Sequence, residues 1–468
     1  MVIKSIFDIM DLKRSLGILA GITGISCSNP ADAVNPVTQP PPNIVLITVH
    51  DLGQHLGCYG IPTVQSPNLD NLAHKGIMFK NFYSTSAVCS PGRGSLLTGR
   101  YPQSNGLMGL LHAPWWWELN VNEKHIAELL KNNGYNTTLI GLTHVGEPAR
   151  LGFERHLSSK NNAEETVMEA SNIFKTSGKK DKPFFLKIGF TEVHDPYKHG
   201  TDSVKGVFVP GFLMKTQEIH DEFTKFQGDI KFMDECVGKI INAIEKSEVA
   251  DNTIIIFTSD HGIGFPGAKW TARKAGIEVP LIIYQPNSIF SGGKVYYEIM
   301  SNVDVLPTLF EYAGFSIPEN IEGVSFKKFI AGETNDPSRK SVFAQYTSDM
   351  KRDNQSRTVI SGKYQLIRYF DARRTVGYPL NISPSRFAAH TEREKTIGSR
   401  PFFELYNLED DPFELINLGI SEEYSEIAKE LSKELMEWMK SVNDPLLKGP
   451  ISTPYYEKSM EDFKRTAH

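Results

Sequence analysis

The run Cys89-Ser90-Pro91-Gly92-Arg93-Gly94-Ser95-Leu96-Leu97-Thr98-Gly99-Arg100 carries the residues best suited to chemistry. Cys89 stands just ahead of Pro91, which can serve as the first residue of a helix, and Gly99 closes the segment. Proline at the start and glycine past the end mark a short helix. This arrangement puts the cysteine beside a helix N-terminus, where free N–H groups and the dipole favour an anion. Arg93, on the next turn, is spaced to fork onto the same anion with two hydrogen bonds. A lone cysteine is ordinarily a small buried apolar group. In this setting it reads instead as a nucleophile toward a sulfate or phosphate ester.

Other candidate residues sit at the ends of apolar runs. Residues 43–49 end at His50-Asp51, and 135–140 end near His144. Residues 183–190 end near His194-Asp195, and 253–258 end at Asp260-His261. Continuous apolar runs rich in β-branched residues predict strands covered on both faces, as in a parallel sheet. Helical patterns lie between them: from Ser66-Pro67 to Gly76, from Asn122 to Asn133, from about Thr216 to Lys246, and from Asp304 to Gly314. The alternation predicts an α/β fold, a large doubly wound and mostly parallel sheet with helices on both faces. Ligands bind such sheets at the carboxyl ends of the strands. Four ends that each deliver His or Asp point to a site rather than to core packing. After about residue 345 the pattern alternates, at 363–369 and 403–407, and a final amphipathic helix covers about 421–442. These features predict a smaller C-terminal α+β subdomain over 346–468, with an antiparallel sheet.

The chain of 468 residues is 40% hydrophobic, enough for a large core. Its net charge is −5 and it has no long basic run, which argues against nucleic acid as a partner. Lys13 and Arg14 precede an apolar stretch from Leu16 to Ile25 that ends in small residues. This reads as an export signal over 1–27, with Cys27 in a box similar to a bacterial lipoprotein cleavage site. Residues 28–41 read as a tether, and the catalytic domain follows over 42–345. Cys58, Cys89 and Cys236 are an odd number, which is no disulfide framework. Trp115-Trp116-Trp117 cannot all face one way and read as packing residues ahead of sugar-stacking ones. Asp234, flanked by the buried stripe of its helix at Met233 and Val237, reads as structural. The oligomeric state is not legible.

The Cys89–Arg93 run, followed by Ser95-Leu96-Leu97-Thr98-Gly99-Arg100, resembles the signature of the formylglycine-dependent sulfatases of the alkaline-phosphatase superfamily. The family pattern is Cys-x-Pro-Ser-Arg, and Gly92 stands at the serine. The resemblance covers nearly everything after residue 42. It implies that a formylglycine-generating or radical maturation enzyme oxidises Cys89 to formylglycine, whose hydrate attacks sulfur. It also implies one divalent metal held by His50, Asp51, Cys89, Asp260 and His261. His50 and His261 stand where the family has Asp and Asn. The family metal is Ca²⁺, bound by oxygens. Imidazoles would suit Mn²⁺ or Zn²⁺ better.

Gly141-Leu142-Thr143-His144 resembles the family's Gly-Lys-x-His, with Leu142 at the lysine, so His144 is implied to assist the nucleophile. His194 is implied as the general acid, and Lys269 as a sulfate-binding lysine beside Arg93. Gln103 to Leu110, His144-Val145-Gly146, Phe257 to Asp260 with Gly264-Phe265-Pro266, and Trp438-Met439 with Asn443 to Leu446 are similar to the heparan N-sulfatase branch. The implied activity is hydrolysis of a sulfate ester or sulfamate on a sugar, with an N-sulfoglucosamine-type glycosaminoglycan favoured, by an exported periplasmic or outer-membrane enzyme. Two alternatives are a phosphonate or phosphodiester hydrolase on the same scaffold and a non-catalytic metal- or glycan-binding member.

Overall fold

Asn43–Val49 has seven residues and none is exposed, because Ile, Val and Leu follow one another along a strand with core on both sides. The computed structural model describes residues 40–158, 162–179, 182–337, 339–347, 355–370 and 401–466. The export signal with Cys27, and residues 28–39 of the tether, lie outside the described residues. In chain order the described strands are β1 (Asn43–Val49), β2 (Ile77–Phe79), β3 (Phe82–Tyr83), β4 (Asn136–Gly141), β5 (Arg155–Leu157), β6 (Phe184–Gly189) and β7 (Thr253–Ser259). They continue as β8 (Leu281–Tyr284), β9 (Lys294–Tyr296), β10 (Met300–Ser301), β11 (Ser341–Tyr346), β12 (Ser356–Ser361), β13 (Tyr364–Tyr369) and β14 (Phe403–Asn407).

The main sheet runs β5-β4-β6-β1-β7-β8-β2-β9. Only β8 opposes its neighbours, so the sheet is mostly parallel, as the sequence predicts. The period of two sorts side chains onto its faces. Val45, Ile47 and Val49 pack with Leu69 and Leu72 of helix Pro67–Lys75 and with Phe223, Ile230 and Val237 of helix Gln217–Glu245. Ile44 and Leu46 pack on the other face with Leu96, Leu97, Ile126, Leu130 and Leu306. The sheet is therefore covered by helices on both sides. Helix Ile126–Asn132 is shorter than the expected 122–133 and begins after His125, whose ring accepts the Ala127 N–H at 3.0 Å.

The C-terminal sheet is antiparallel in the order β11-β12-β13-β14. The boundary read at 345/346 falls inside β11. Helix Ser425–Ser441 lies on this sheet through Leu431, Leu435 and Trp438, packed with Val359, Leu366 and Leu405. A fully buried Arg357–Asp444 pair, with contacts of 2.5 and 2.9 Å, fastens the tail to β12, and Gln103 Nε2 donates to the same carboxylate at 3.0 Å. No described helix is long and apolar enough to cross a membrane.

Asp234 has a definite structural task. Its carboxylate accepts the backbone N–H groups of Asn68 (3.1 Å) and Leu69 (2.9 Å) and the Asn68 side-chain amide (2.8 Å). These are first-turn donors of helix Pro67–Lys75, whose Ser66 makes no side-chain cap. One long helix thus caps another across the core, and burial pushes the Asp234 carboxyl up to about 6. Asp234→Ala is expected to cost about 2 kcal/mol of stability, more than an ordinary cap, because buried donors lose their acceptor. Equilibrium denaturation measures this, and an unchanged midpoint would refute the capping role.

Candidate active site

Neighbouring parallel strands bring the site together. β4, β6, β1 and β7 lie side by side and end on the same edge of the sheet. His50 and Asp51 follow β1, Asp260 and His261 follow β7, His144 lies three residues beyond β4, and His194 lies five beyond β6. Asp51 and His144 both adopt left-handed backbone conformations, with φ of 55° and 59°. Non-glycine residues rarely adopt this conformation, and it turns both side chains back over the strand ends.

Cys89 enters from its own helix. That helix spans Cys89–Thr98 and starts at the cysteine, two residues earlier than a start at Pro91. A first-turn proline is tolerated because N–H groups there have no intrahelical partner. All ten residues are buried, and Gly99 at φ 66° ends the helix with its N–H on the Ser95 carbonyl at 2.9 Å.

His50, Asp51, Cys89, Asp260 and His261 are all buried, and each can turn one ligand atom to within 4.8 Å of the others. His50 Nδ1 lies 2.8 Å from Asp51 and 3.1 Å from Asp260. His261 Nε2 lies 3.1 Å from Asp51 and 3.3 Å from the Cys89 sulfur. Lys269 Nζ donates to both Asp51 oxygens, at 3.0 and 2.8 Å. Burial alone would push both carboxyls up, yet the surrounding cations hold them below the usual carboxylate range. Burial opposes charge on the two histidines as well, but Asp260, Asp51 and Cys89 outweigh it. His50 rises to about 9 and His261 to about 10. The Cys89 thiol, which burial would raise, is pulled well down by Lys269, His50 and His261. Two carboxylates, two imidazoles and a sulfur converging on one point fit a divalent cation, which would take the place of the imidazole protons.

Arg93 differs from the expected fork onto a bound anion. Three of its N–H donors are already on protein acceptors: Asp260 at 3.2 Å, the Thr48 hydroxyl at 2.9 Å and the Val49 carbonyl at 3.0 Å. A fully buried guanidinium goes to the nearest charge, and here that charge is Asp260. Arg93 therefore braces the cluster from behind.

His144 faces the charge of Cys89, burial lowers its pKa, and its Nδ1 is buried without a hydrogen-bond partner among the described residues. His194 stands at the rim of a cavity of about 410 Å³ that His50, Leu142, His144, Lys198 and His199 also line. Its Nδ1 lies 2.6 Å from the Asp195 carbonyl and its Nε2 lies 3.2 Å from Lys269 Nζ. A ring that donates from Nδ1 and accepts at Nε2 is neutral, and burial and Lys269 pull it down to about 4. The proton in this pair rests on Lys269.

The tryptophan run divides as expected: Trp117 is core, Trp115 packs by the Cys89 cluster, and Trp116 stacks on Tyr455 at 5.4 Å. Two residues escape the motif reading. Thr48 and Lys187 lie directly behind the site, and the one sequence signal is a lysine inside the apolar run 184–190.

Gly92 has a packing reason. A Cβ there would lie 2.5 Å from the Asp260 carbonyl oxygen and 2.8 Å from the Ser84 hydroxyl. Glycine thus lets the Cys89 helix approach the end of β7. Gly92→Ser is expected to cost about 1–3 kcal/mol through overpacking and to loosen Asp260. A thermal melt matching that of the unaltered chain would contradict this close approach.

Comparison with known proteins agrees with this geometry. The family model described as Sulfatase matches residues 42–315, and the one described as N-sulphoglucosamine sulphohydrolase, C-terminal, matches residues 268–387. An ulvan-active sulfatase of Formosa agariphila is 27% identical over 88% of this chain and 83% of its own. Human N-sulphoglucosamine sulphohydrolase is 25% identical over 88% of this chain and 92% of its own. A protein solved in complex with its substrate D-glucosamine-2-N,6-O-disulfate shares the fold. Its TM-score is 0.66 at 20% identity, covering 88% of this chain and 99% of that one. The chain belongs to the sulfatase family of sulfuric ester hydrolases.

Proposed function

We propose that this chain hydrolyses a sulfate ester or sulfamate on a sugar, with an N-sulfoglucosamine-type glycosaminoglycan as the favoured substrate. The observation that carries the reading is the buried cluster around Cys89, opening past His144 and His194 into a sugar-sized cavity. The similarity of residues 268–387 to the C-terminal region of N-sulphoglucosamine sulphohydrolases supports the substrate class.

In this reading Cys89 is matured to formylglycine by a modifying enzyme. As its hydrate, formylglycine supplies the oxygen that attacks sulfur, and the aldehyde returns when sulfate leaves. His50, Asp51, Asp260 and His261, with the group at position 89, would hold one divalent cation. When bound, it lowers the pKa of the attacking hydroxyl and offsets sulfuryl charge. The nitrogen donors favour Mn²⁺ or Zn²⁺ more than an all-oxygen Ca²⁺ site would.

Lys269 holds Asp51 and sits on His194. Lys269 Nζ gives its proton to His194 Nε2, the same nitrogen passes it to the departing nitrogen or oxygen, and solvent reprotonates Lys269. His144, beside position 89, accepts the proton released as sulfate is expelled. Arg93 keeps Asp260 ionised and oriented. Export through the signal at 1–27, with a lipid on Cys27, would place the enzyme in the periplasm or on the outer membrane, where polymeric sulfated sugars are met.

Mass spectrometry of the peptide containing Cys89, from protein made in its own host, is expected to show a loss of about 18 mass units relative to the thiol. An intact thiol would remove the formylglycine mechanism. With matched leaving groups, a sulfate ester or sulfamate is expected to turn over at least about 100-fold faster than a phosphodiester, and the reverse order would favour the phosphodiesterase alternative. Chelation followed by dialysis is expected to lower turnover at least about tenfold, restored by Ca²⁺, Mn²⁺ or Zn²⁺. Activity that survives complete metal removal would exclude the cation.

A further inference from the structure

Lys187 lies in the middle of β6 and is fully buried. Among the described residues, no carboxylate lies within ion-pair distance of its ammonium. Its Nζ donates instead to the Leu142 carbonyl at 2.5 Å and to the Thr48 hydroxyl at 3.1 Å. Burying an ionisable amine without a counter-ion is costly, and burial lowers its pKa well below the ordinary range. Both hydrogen bonds survive whether the amine is charged or neutral.

The two acceptors belong to the elements that carry the site. Leu142 opens the loop after β4, two residues before the left-handed His144, and its side chain lines the cavity. The stretch 142–146 around His144 contains no lysine or arginine of its own. Thr48 is the residue before Val49 at the end of β1. Its hydroxyl accepts from Lys187 and also from Arg93 Nη1, and lies 3.5 Å from the Ile188 carbonyl as donor. The hydroxyl is thereby saturated, and Lys187, Thr48 and Arg93 form one chain of hydrogen bonds that ends on Asp260. A Cβ on Gly189 would meet Lys187 Nζ at 2.7 Å and the Leu142 carbonyl oxygen at 1.9 Å, so the loop and the amine are closely packed.

We infer that Lys187 is a positioning residue that sets the His144 loop and the Arg93–Asp260 brace at the same time. Its catalytic consequence rests on the reading above, in which His144 and Asp260 serve sulfuryl transfer. Removing the amine leaves the Leu142 carbonyl and one side of the Thr48 hydroxyl unsatisfied, and the stretch 142–146 loses the hydrogen bond that ties it to β6 through a side chain.

The test compares Lys187→Met, Lys187→Arg and Ile188→Ala, the last a cavity control on the same strand that leaves both hydrogen bonds in place. Hydrogen-exchange mass spectrometry of the full chain is expected to show faster exchange over residues 141–146 in Lys187→Met than in Ile188→Ala. Unchanged exchange there overturns the proposal. With the matured, metal-loaded enzyme on a sulfate ester or sulfamate, Lys187→Met is expected to lower kcat about 10- to 100-fold with KM within about threefold. Lys187→Arg, which keeps N–H donors, is expected to recover at least about a tenth of the unaltered rate. A kcat for Lys187→Met no lower than that of Ile188→Ala overturns the positioning role, even where exchange rises. A chain with no turnover of any sulfuryl substrate refutes the functional reading instead, and the exchange measurement then decides the role of Lys187 alone.

Discussion

Two buried carboxylates side by side, Asp51 and Asp260, set the terms for the rest of this structure. Each would cost several kcal/mol to bury as an ion without compensation. Four cationic or cation-forming groups converge on them: Lys269 and His261 on Asp51, Arg93 on Asp260, and His50 between the two. These groups come from four separate places in the chain, so the field exists only when the whole edge of the sheet is assembled. The same field that keeps the carboxylates ionised pulls down the thiol of Cys89. It is also what a divalent cation would need.

The backbone is bent to serve this cluster. Asp51 and His144 hold left-handed conformations of the kind that persists where surrounding contacts over-determine it. Gly92 lets the Cys89 helix come against the Asp260 carbonyl, and Asn302 Nδ2 holds the Gly92 carbonyl from the other side at 2.9 Å. The helix, both central strand ends and the Lys269 loop are thus packed as one piece. A change in one of them shifts the ligand atoms of the others.

The C-terminal subdomain is part of this arrangement. β11 begins it beside the Cys89 helix, where the Gln345 N–H donates to the Thr85 carbonyl at 2.8 Å and its side chain reaches the Met108 carbonyl at 3.2 Å. Tyr346 packs with Val88, Cys89 and Trp270. Arg273, four residues after Lys269, pairs with Glu404 of β14 at 2.8 Å. The second sheet therefore backs both the helix that carries position 89 and the loop that carries Lys269.

Much of this was legible in the sequence, because local rules govern it. Apolar runs ending in His or Asp marked β1, β4, β6 and β7, and a Cys-x-Pro start with a glycine stop marked the helix. Together they named His50, Asp51, Cys89, Asp260 and His261 among the candidates, and the resemblance to the sulfatases grouped these five as one set. Strand order and proximity were not legible, since pairing of β1 with both β6 and β7 depends on contacts far apart in the chain. Nor was the fate of individual donors. Arg93 could be read as facing a substrate only until the position of Asp260 was known, and Lys187 looked like an exception in an apolar run. Sequence spacing determines which faces and ends residues occupy. Which charge meets which, and hence which ones pair, brace or remain open to a ligand, is decided by the packing that removes water from between them.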